Sequence, residues 1–150
     1  MWSAASVLVC VLDLLGRSAG SFPPITLLDV RPKDVSVQAD AFVRAGDDTI
    51  HLMTSGPAFQ RVQRSPRKCG NLDDVRRLAS ILVHEEWHVR HGPDERGAYE
   101  AQLTALIALD AGPGSPVFGG VVRAMVDTLA RQRHEVRPAA VRGPCASDSC

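Results

Sequence analysis

Two histidines and a glutamate lie close together near the middle of the chain, in the stretch His84-Glu85-Glu86-Trp87-His88. This stretch has the pattern HExxH. Positions i and i+4 of an α-helix lie on one face, so His84 and His88 can direct both imidazoles at one metal ion. Glu85 lies about 100° further round the helix, close to such an ion but out of line with its ligands. That position suits a general base acting on water activated by the metal.

The residues around this pattern predict a long helix that begins near residue 72 and ends at Gly92. Apolar residues occupy most of its circumference, which is typical of a central, buried helix. Glu85 shares their face, where a carboxylate is costly unless it has a partner or a function. Glu86 and Arg90 are expected on the remaining, exposed side, at the spacing of a surface ion pair.

A second helix, capped by Asp94 and covering residues 95–111, is expected to fold back against the first. At about 1.5 Å per residue, its return brings Glu100 to the level of the two histidines. Glu100 also shares a face with Leu103, Thr104 and Ile107, the stripe that is expected to point inward. Glu100 is therefore the predicted third metal ligand.

Glu95 is the main rival of Glu100 for this role. It lies in the first turn of the second helix and shares a face with Tyr99 and Gln102 rather than with the apolar stripe. The sequence interpretation therefore assigns Glu95 no metal. Two histidines and one carboxylate, with a fourth position open, form the catalytic type of zinc site.

HExxH followed by a helical glutamate resembles the zincin metallopeptidases of the glutamate-zincin (gluzincin) type, and small single-domain bacterial members in particular. The resemblance covers residues 72–110. It implies a zinc peptidase in which His84, His88 and Glu100 bind Zn²⁺, Glu85 is the catalytic base, and the substrate is a peptide or protein. The alternative is a catalytically inactive zincin fold that serves as a zinc-binding or protein-interaction module. The presence of Glu85 favours the enzyme, because a structural zinc site needs no base.

The chain has 150 residues, enough for one domain with its own core. Its 17 basic and 17 acidic residues balance, so charge gives no reason to expect nucleic acid as a partner. No stretch predicts a stable membrane span. The compartment stays open, with a lean towards the cytoplasm.

The first 15 residues are largely apolar and allow two interpretations. An atypical signal peptide would lack a basic start and would be interrupted by Asp13. The favoured interpretation is an amphipathic helix over residues 6–17. Its inward side chains would be Val7, Val11, Leu14 and Leu15.

Between this helix and the HExxH helix, three short strands are expected at residues 25–30, 41–44 and 49–54. A turn at residues 45–48 joins the second strand to the third. A short helix from residue 57 to 62 and a solvated connector at 60–68 follow. A final helix extends from Ser115-Pro116 to about residue 133. The predicted fold is α+β, a minimal zincin-like domain over residues 1–137 with a disordered tail at 138–150.

Three further side chains and one strand segment lie outside the predicted ligand set. His51 could face the cleft but is better explained by a solvated strand face, and residues 51–53 are the suggested edge that would pair with an extended peptide. His91 is too far along the helix to share an ion with both histidines. Tyr99 could stabilise an oxyanion, although packing of its ring explains it more simply.

The cysteines do not have the spacing of a metal cluster. Cys10 and Cys69 are isolated in the sequence, and Cys145 and Cys150 fall in the predicted tail. Disulfides would need an oxidising compartment.

Overall fold

The computed structural model describes residues 1–135, which form a small α+β domain. The predicted tail at residues 138–150 therefore lies outside the described residues. In chain order the elements are α1 (Ala4–Leu15), a 3-10 turn (Ala19–Ser21), β1 (Ile25–Leu28), β2 (Ala41–Phe42), β3 (Ile50–Met53), α2 (Pro57–Gln63), α3 (Leu72–His91), α4 (Glu95–Ala108) and α5 (Pro116–Glu135).

The three strands form one mixed sheet in the order β1-β3-β2. β1 runs parallel to β3, with Ile25 opposite Ile50, and β2 runs antiparallel to β3, with Ala41 opposite Leu52. All three strands were predicted, although each is shorter than expected. The suggestion that residues 51–53 form an edge is wrong, because β3 is hydrogen-bonded on both sides. Among the described strands, β2 is an edge.

Helix α1 packs into the core, as the amphipathic interpretation predicted. Ser3 caps it, and Gly16 ends it with the left-handed φ of 64° that glycine adopts without strain. The helix is displaced by two residues from the predicted range. Its fully buried side chains are Val7, Cys10, Val11 and Leu12.

A disulfide joins Cys10 of α1 to Cys69, with 5.4 Å between the two Cα atoms. The sequence left disulfides open, and these two cysteines, 59 positions apart, meet because the chain between them folds back on itself. The disulfide fixes α1 to the segment that enters α3.

Helix α3 is the central helix of the domain, as predicted, and packs against α1, α2, α4, α5, β2 and β3. One side of it was predicted wrongly. Glu86 forms the expected pair with Arg90 but is buried, because Arg17 approaches from the end of α1 and also pairs with its carboxylate. The exposed face predicted for Glu86 is therefore covered by a residue 69 positions away in the sequence.

Helix α4 faces α3 with a different stripe from the one predicted. Ala98, Gln102 and Leu106 are buried, whereas Thr104 and Ile107 are exposed. Counting apolar side chains favoured the wrong stripe, because the face that packs against α3 contains the polar Gln102. α4 also ends at Ala108, three residues earlier than expected.

The remaining helices complete the domain around α3 and α4. The short helix predicted from residue 57 to 62 is confirmed as α2, which ends at Gln63, so the solvated connector begins after residue 63 rather than at residue 60. α5 packs on α4 through a small apolar cluster that contains Leu106, Ala111 and Val121. Among the described helices, none has both the length and the apolar character needed to cross a membrane.

Candidate metal centre

Three potential metal ligands converge where α3 and α4 meet, and they are His84, His88 and Glu95. The Nε2 atoms of the two histidines are 3.2 Å apart. Glu95 places one carboxylate oxygen 3.4 Å from Nε2 of His84 and the other 3.6 Å from Nε2 of His88. Ligand atoms of a tetrahedral zinc ion are about 3.3 Å apart, given metal–ligand bonds near 2.05 Å. Each histidine nitrogen therefore has a carboxylate oxygen of Glu95 near this distance, and one ligand atom from each of the three residues lies within 4.8 Å of the others.

Both imidazoles use their other nitrogen, Nδ1, in a hydrogen bond within the protein. Nδ1 of His88 donates to the backbone carbonyl of Gly92 at 2.9 Å, and a carbonyl can only accept. Nδ1 of His84 lies 3.0 Å from Oε1 of Gln102. With Nδ1 protonated on both rings, the two Nε2 atoms present lone pairs to each other and to a carboxylate. Such an arrangement needs a cation, either a proton or a metal ion.

The structure brings Glu95, and not Glu100, to the two histidines, so the predicted ligand set is corrected. Only three residues separate the end of α3 at His91 from Glu95, and Glu95 turns back onto the face that packs against α3. Glu100 is five positions further, about 140° round the helix, and it is exposed. Glu95 could have been identified from Tyr99 and Gln102, which share its face and also lie at the site.

The pKa values of His88 and Glu95 show how strongly these side chains interact. Interaction with the Glu95 carboxylate raises the pKa of His88 to about 9, although burial opposes the change. The two histidines in turn lower the pKa of Glu95 to about 2. Without a metal, therefore, a proton on His88 supplies the positive charge between the ligands.

Glu85 lies on the same helix, and its side chain is buried. Burial raises the pKa of its carboxyl, and the nearby His84 and His88 only partly oppose this change. A raised pKa makes the carboxylate a stronger base.

A cleft of about 400 Å³ opens beside these residues. His84, Glu85 and Glu95 line it, together with residues of α5. Residues 39–41, at the start of β2, lie along the cleft as well. Two of the three candidate ligands, His84 and Glu95, therefore line the cleft together with Glu85.

The structure also places the other residues singled out in the sequence. Tyr99 packs its ring edge-on against His84, at 4.6 Å between centroids, and its hydroxyl is 3.1 Å from Oγ1 of Thr128. His51 stacks on Phe42 and pairs with Asp47 away from the cleft, so it is not part of the site. His91 stacks on Trp87, outside the ligand group.

Comparison with protein-family models, with curated proteins and with solved structures gave no match to this chain.

Proposed function

We propose that this protein is a zinc-dependent peptidase that hydrolyses peptide bonds with Glu85 as general base and with His84, His88 and Glu95 as zinc ligands. The observation that carries the proposal is the convergence of His84, His88 and Glu95. The two Nε2 atoms are 3.2 Å apart, one carboxylate oxygen of Glu95 is 3.4 Å from Nε2 of His84, and the other is 3.6 Å from Nε2 of His88. Without a cation between them, their lone pairs would repel.

The donor set favours zinc over other common divalent ions. Two imidazole nitrogens and one carboxylate oxygen, with a fourth position open, are typical of catalytic zinc. Magnesium and calcium prefer sites built of oxygen ligands alone. When bound, zinc polarises the scissile carbonyl and makes water a better nucleophile.

The protein's own contribution to the chemistry is proton transfer by Glu85. Its carboxylate takes a proton from the attacking water and passes it to the amine that leaves. Burial, which raises the pKa of Glu85, supports the first step, because it makes the carboxylate a stronger base. Glu85 lines the same cleft as His84 and Glu95, which supports this role.

The cleft supports a peptide or protein as the substrate. Ala41, the first residue of β2, lies along it, as do Ala39 and Asp40 just before this edge strand. An extended peptide can add to such an edge by main-chain hydrogen bonds. β2 thus replaces residues 51–53 in the proposed substrate site.

The first experiment measures zinc in protein purified without a metal-affinity tag, and then hydrolysis of an unfolded protein. We expect about one zinc ion per chain and activity that is lost with a chelator and restored by zinc. Zinc that binds without hydrolysis of any unfolded substrate would favour the zinc-binding module over the peptidase. Absence of zinc binding would contradict both.

A matched pair of substitutions tests the corrected ligand. Glu95→Ala should lower zinc affinity at least about tenfold and abolish hydrolysis, because it removes a ligand. Glu100→Ala, on the exposed side of the same helix, should leave both unchanged. The opposite result would restore Glu100 as the ligand.

A further inference from the structure

A chain of three hydrogen bonds connects His84 to the backbone of its own helix through a side chain of α4. Nδ1 of His84 lies 3.0 Å from Oε1 of Gln102, and Nε2 of Gln102 donates to Oγ of Ser80 at 3.2 Å. The Ser80 hydroxyl donates to the carbonyl of Arg77 at 2.8 Å. Gln102 and Ser80 are both buried, with 5% and 0% of their surfaces exposed. Ser80 and Gln102 are thus polar residues in a buried position, and their hydrogen bonds are made with each other, with His84 and with the backbone.

The direction of every bond in this chain follows from its last member. The carbonyl of Arg77 can only accept, so the Ser80 hydroxyl must give its proton there. Oγ of Ser80 is then left as an acceptor, and only the NH₂ group of Gln102 can donate to it. The amide oxygen of Gln102 must consequently face His84, whose Nδ1 has to be the donor.

We propose that Gln102 is a positioning residue that holds His84 in the tautomer with Nδ1 protonated and with the Nε2 lone pair directed at the metal ligands. Ser80 fixes the orientation of the Gln102 amide. The role of these residues in metal binding rests on the proposed zinc site. The tautomer itself does not, since it follows from the hydrogen bonds alone.

The two histidines are oriented by different kinds of group: a side chain, Gln102, for His84 and a backbone carbonyl for His88. Nδ1 of His88 is held by the backbone carbonyl of Gly92, which no substitution can remove. His84 depends on a side chain from a separate helix. The orientation of His84 is therefore sensitive to mutation. Gln102 also links α4 to α3 by hydrogen bonds, at a position seven residues after Glu95.

The test compares three variants with the wild type by zinc competition against a chelator. Gln102→Leu removes the acceptor, and we expect zinc affinity to fall by about 10- to 100-fold. Gln102→Glu keeps an acceptor for Nδ1 and should retain affinity within about threefold of the wild type. Thr104→Val, a polar-to-apolar change on the exposed side of α4, is the control and should change nothing.

A second measurement uses the metal-free protein. Long-range ¹H–¹⁵N spectra, recorded where His84 is neutral, report which ring nitrogen carries the proton. We expect Nδ1 in the wild type and in Gln102→Glu, and a mixture of tautomers in Gln102→Leu. Ser80→Ala should give a smaller shift in the same direction, because the amide of Gln102 can then rotate.

The two measurements separate this inference from the proposed function. A wild type that binds no zinc would refute the peptidase, yet a tautomer that changes in Gln102→Leu would still support the positioning role. Unchanged tautomer and unchanged zinc affinity in Gln102→Leu would overturn the inference. Equal losses in Gln102→Glu and Gln102→Leu would also overturn it, since an acceptor would then not be what matters.

Discussion

Glu85 and Glu86 are neighbours in the sequence, and both are buried. Their surroundings nevertheless shift the pKa values of the two carboxyl groups in opposite directions. Burial raises the pKa of Glu85. Burial also acts on Glu86, but ion pairs with Arg17 and Arg90 outweigh it and hold the pKa of Glu86 below its usual value. A carboxylate fixed by two cations is a weak base. Glu85 is the one of the two that suits proton transfer.

The first prediction concerns Glu85→Gln. The amide keeps the size of the side chain but cannot take a proton, so zinc should stay bound while hydrolysis falls by at least about 100-fold. Metal analysis and initial rates on an unfolded protein measure the two quantities. Glu86→Gln is an unsuitable control, because it would break the pairs with Arg17 and Arg90. The exposed Glu100→Gln serves instead, and an equal loss in that variant would remove Glu85 from the mechanism.

The second prediction concerns protons released when zinc binds. In the metal-free protein the pKa of His88 is raised to about 9, so at pH 7 the ring carries a proton that a metal must displace. Glu95, with a pKa of about 2, is already ionised. Zinc affinity should therefore rise with pH up to about 9, with about one proton released from His88 per zinc at pH 7. Calorimetry in buffers of different ionisation enthalpy measures this number. Binding heats that do not depend on the buffer would contradict the prediction.

At the scale of elements, the close approach of α3 and α4 determines whether Glu95 reaches the histidines. Gly97 makes this approach possible, since a Cβ atom at that position would lie 2.5 Å from the Trp87 ring. Trp87 belongs to α3, and its ring is packed against His91. A side chain at position 97 would therefore push the two helices apart.

The third prediction is that Gly97→Ala destabilises the fold by about 1–3 kcal/mol and lowers zinc affinity, because it displaces the turn of α4 that holds Glu95. Denaturant unfolding and zinc competition measure the two effects. Gly119→Ala in α5 is the matched control. Its Cβ would meet Arg123 at an ordinary 3.5 Å, and alanine favours a helix, so stability should be unchanged or slightly higher. Equal effects of the two changes would show that helix spacing is not the cause.

Local features of the sequence predicted the elements well. The HExxH helix ends at Gly92 as expected, and the turn at residues 45–48 joins two antiparallel strands. The inward stripe of α4 was predicted wrongly, because counting apolar side chains takes no account of a polar residue that is buried with its hydrogen bonds satisfied, as Gln102 is. Contacts between distant segments left no signal in the sequence. Arg17 with Glu86 and Cys10 with Cys69 are of this kind.

At the scale of the whole molecule, the Cys10–Cys69 disulfide gives the fourth prediction. It closes a loop between residues 59 positions apart, and in the chain-entropy account such a loop stabilises the fold by about 4 kcal/mol. Reduction should lower the free energy of unfolding by that order. Unfolding in denaturant, with and without a reductant, measures it.

The control for this prediction is the double variant Cys10→Ala with Cys69→Ala. It should have the stability of the reduced protein and should not respond to the reductant. A response in the double variant would assign the effect to the other two cysteines, Cys145 and Cys150. Equal stability of the oxidised and reduced wild type would show that the disulfide contributes nothing.

The site uses side chains of α3 and α4, and α1 packs against α3 as well. This has a consequence for the stage of synthesis at which the site can form. HExxH is complete once residue 88 has been added, but the proposed third ligand and the amide proposed to orient His84 belong to residues 95 and 102. α1, made long before, has to close onto α3 as well. A nascent chain that ends within α3 carries the motif without a metal centre. Such a chain should have no hydrolytic activity towards itself or its neighbours until α4 has emerged and docked.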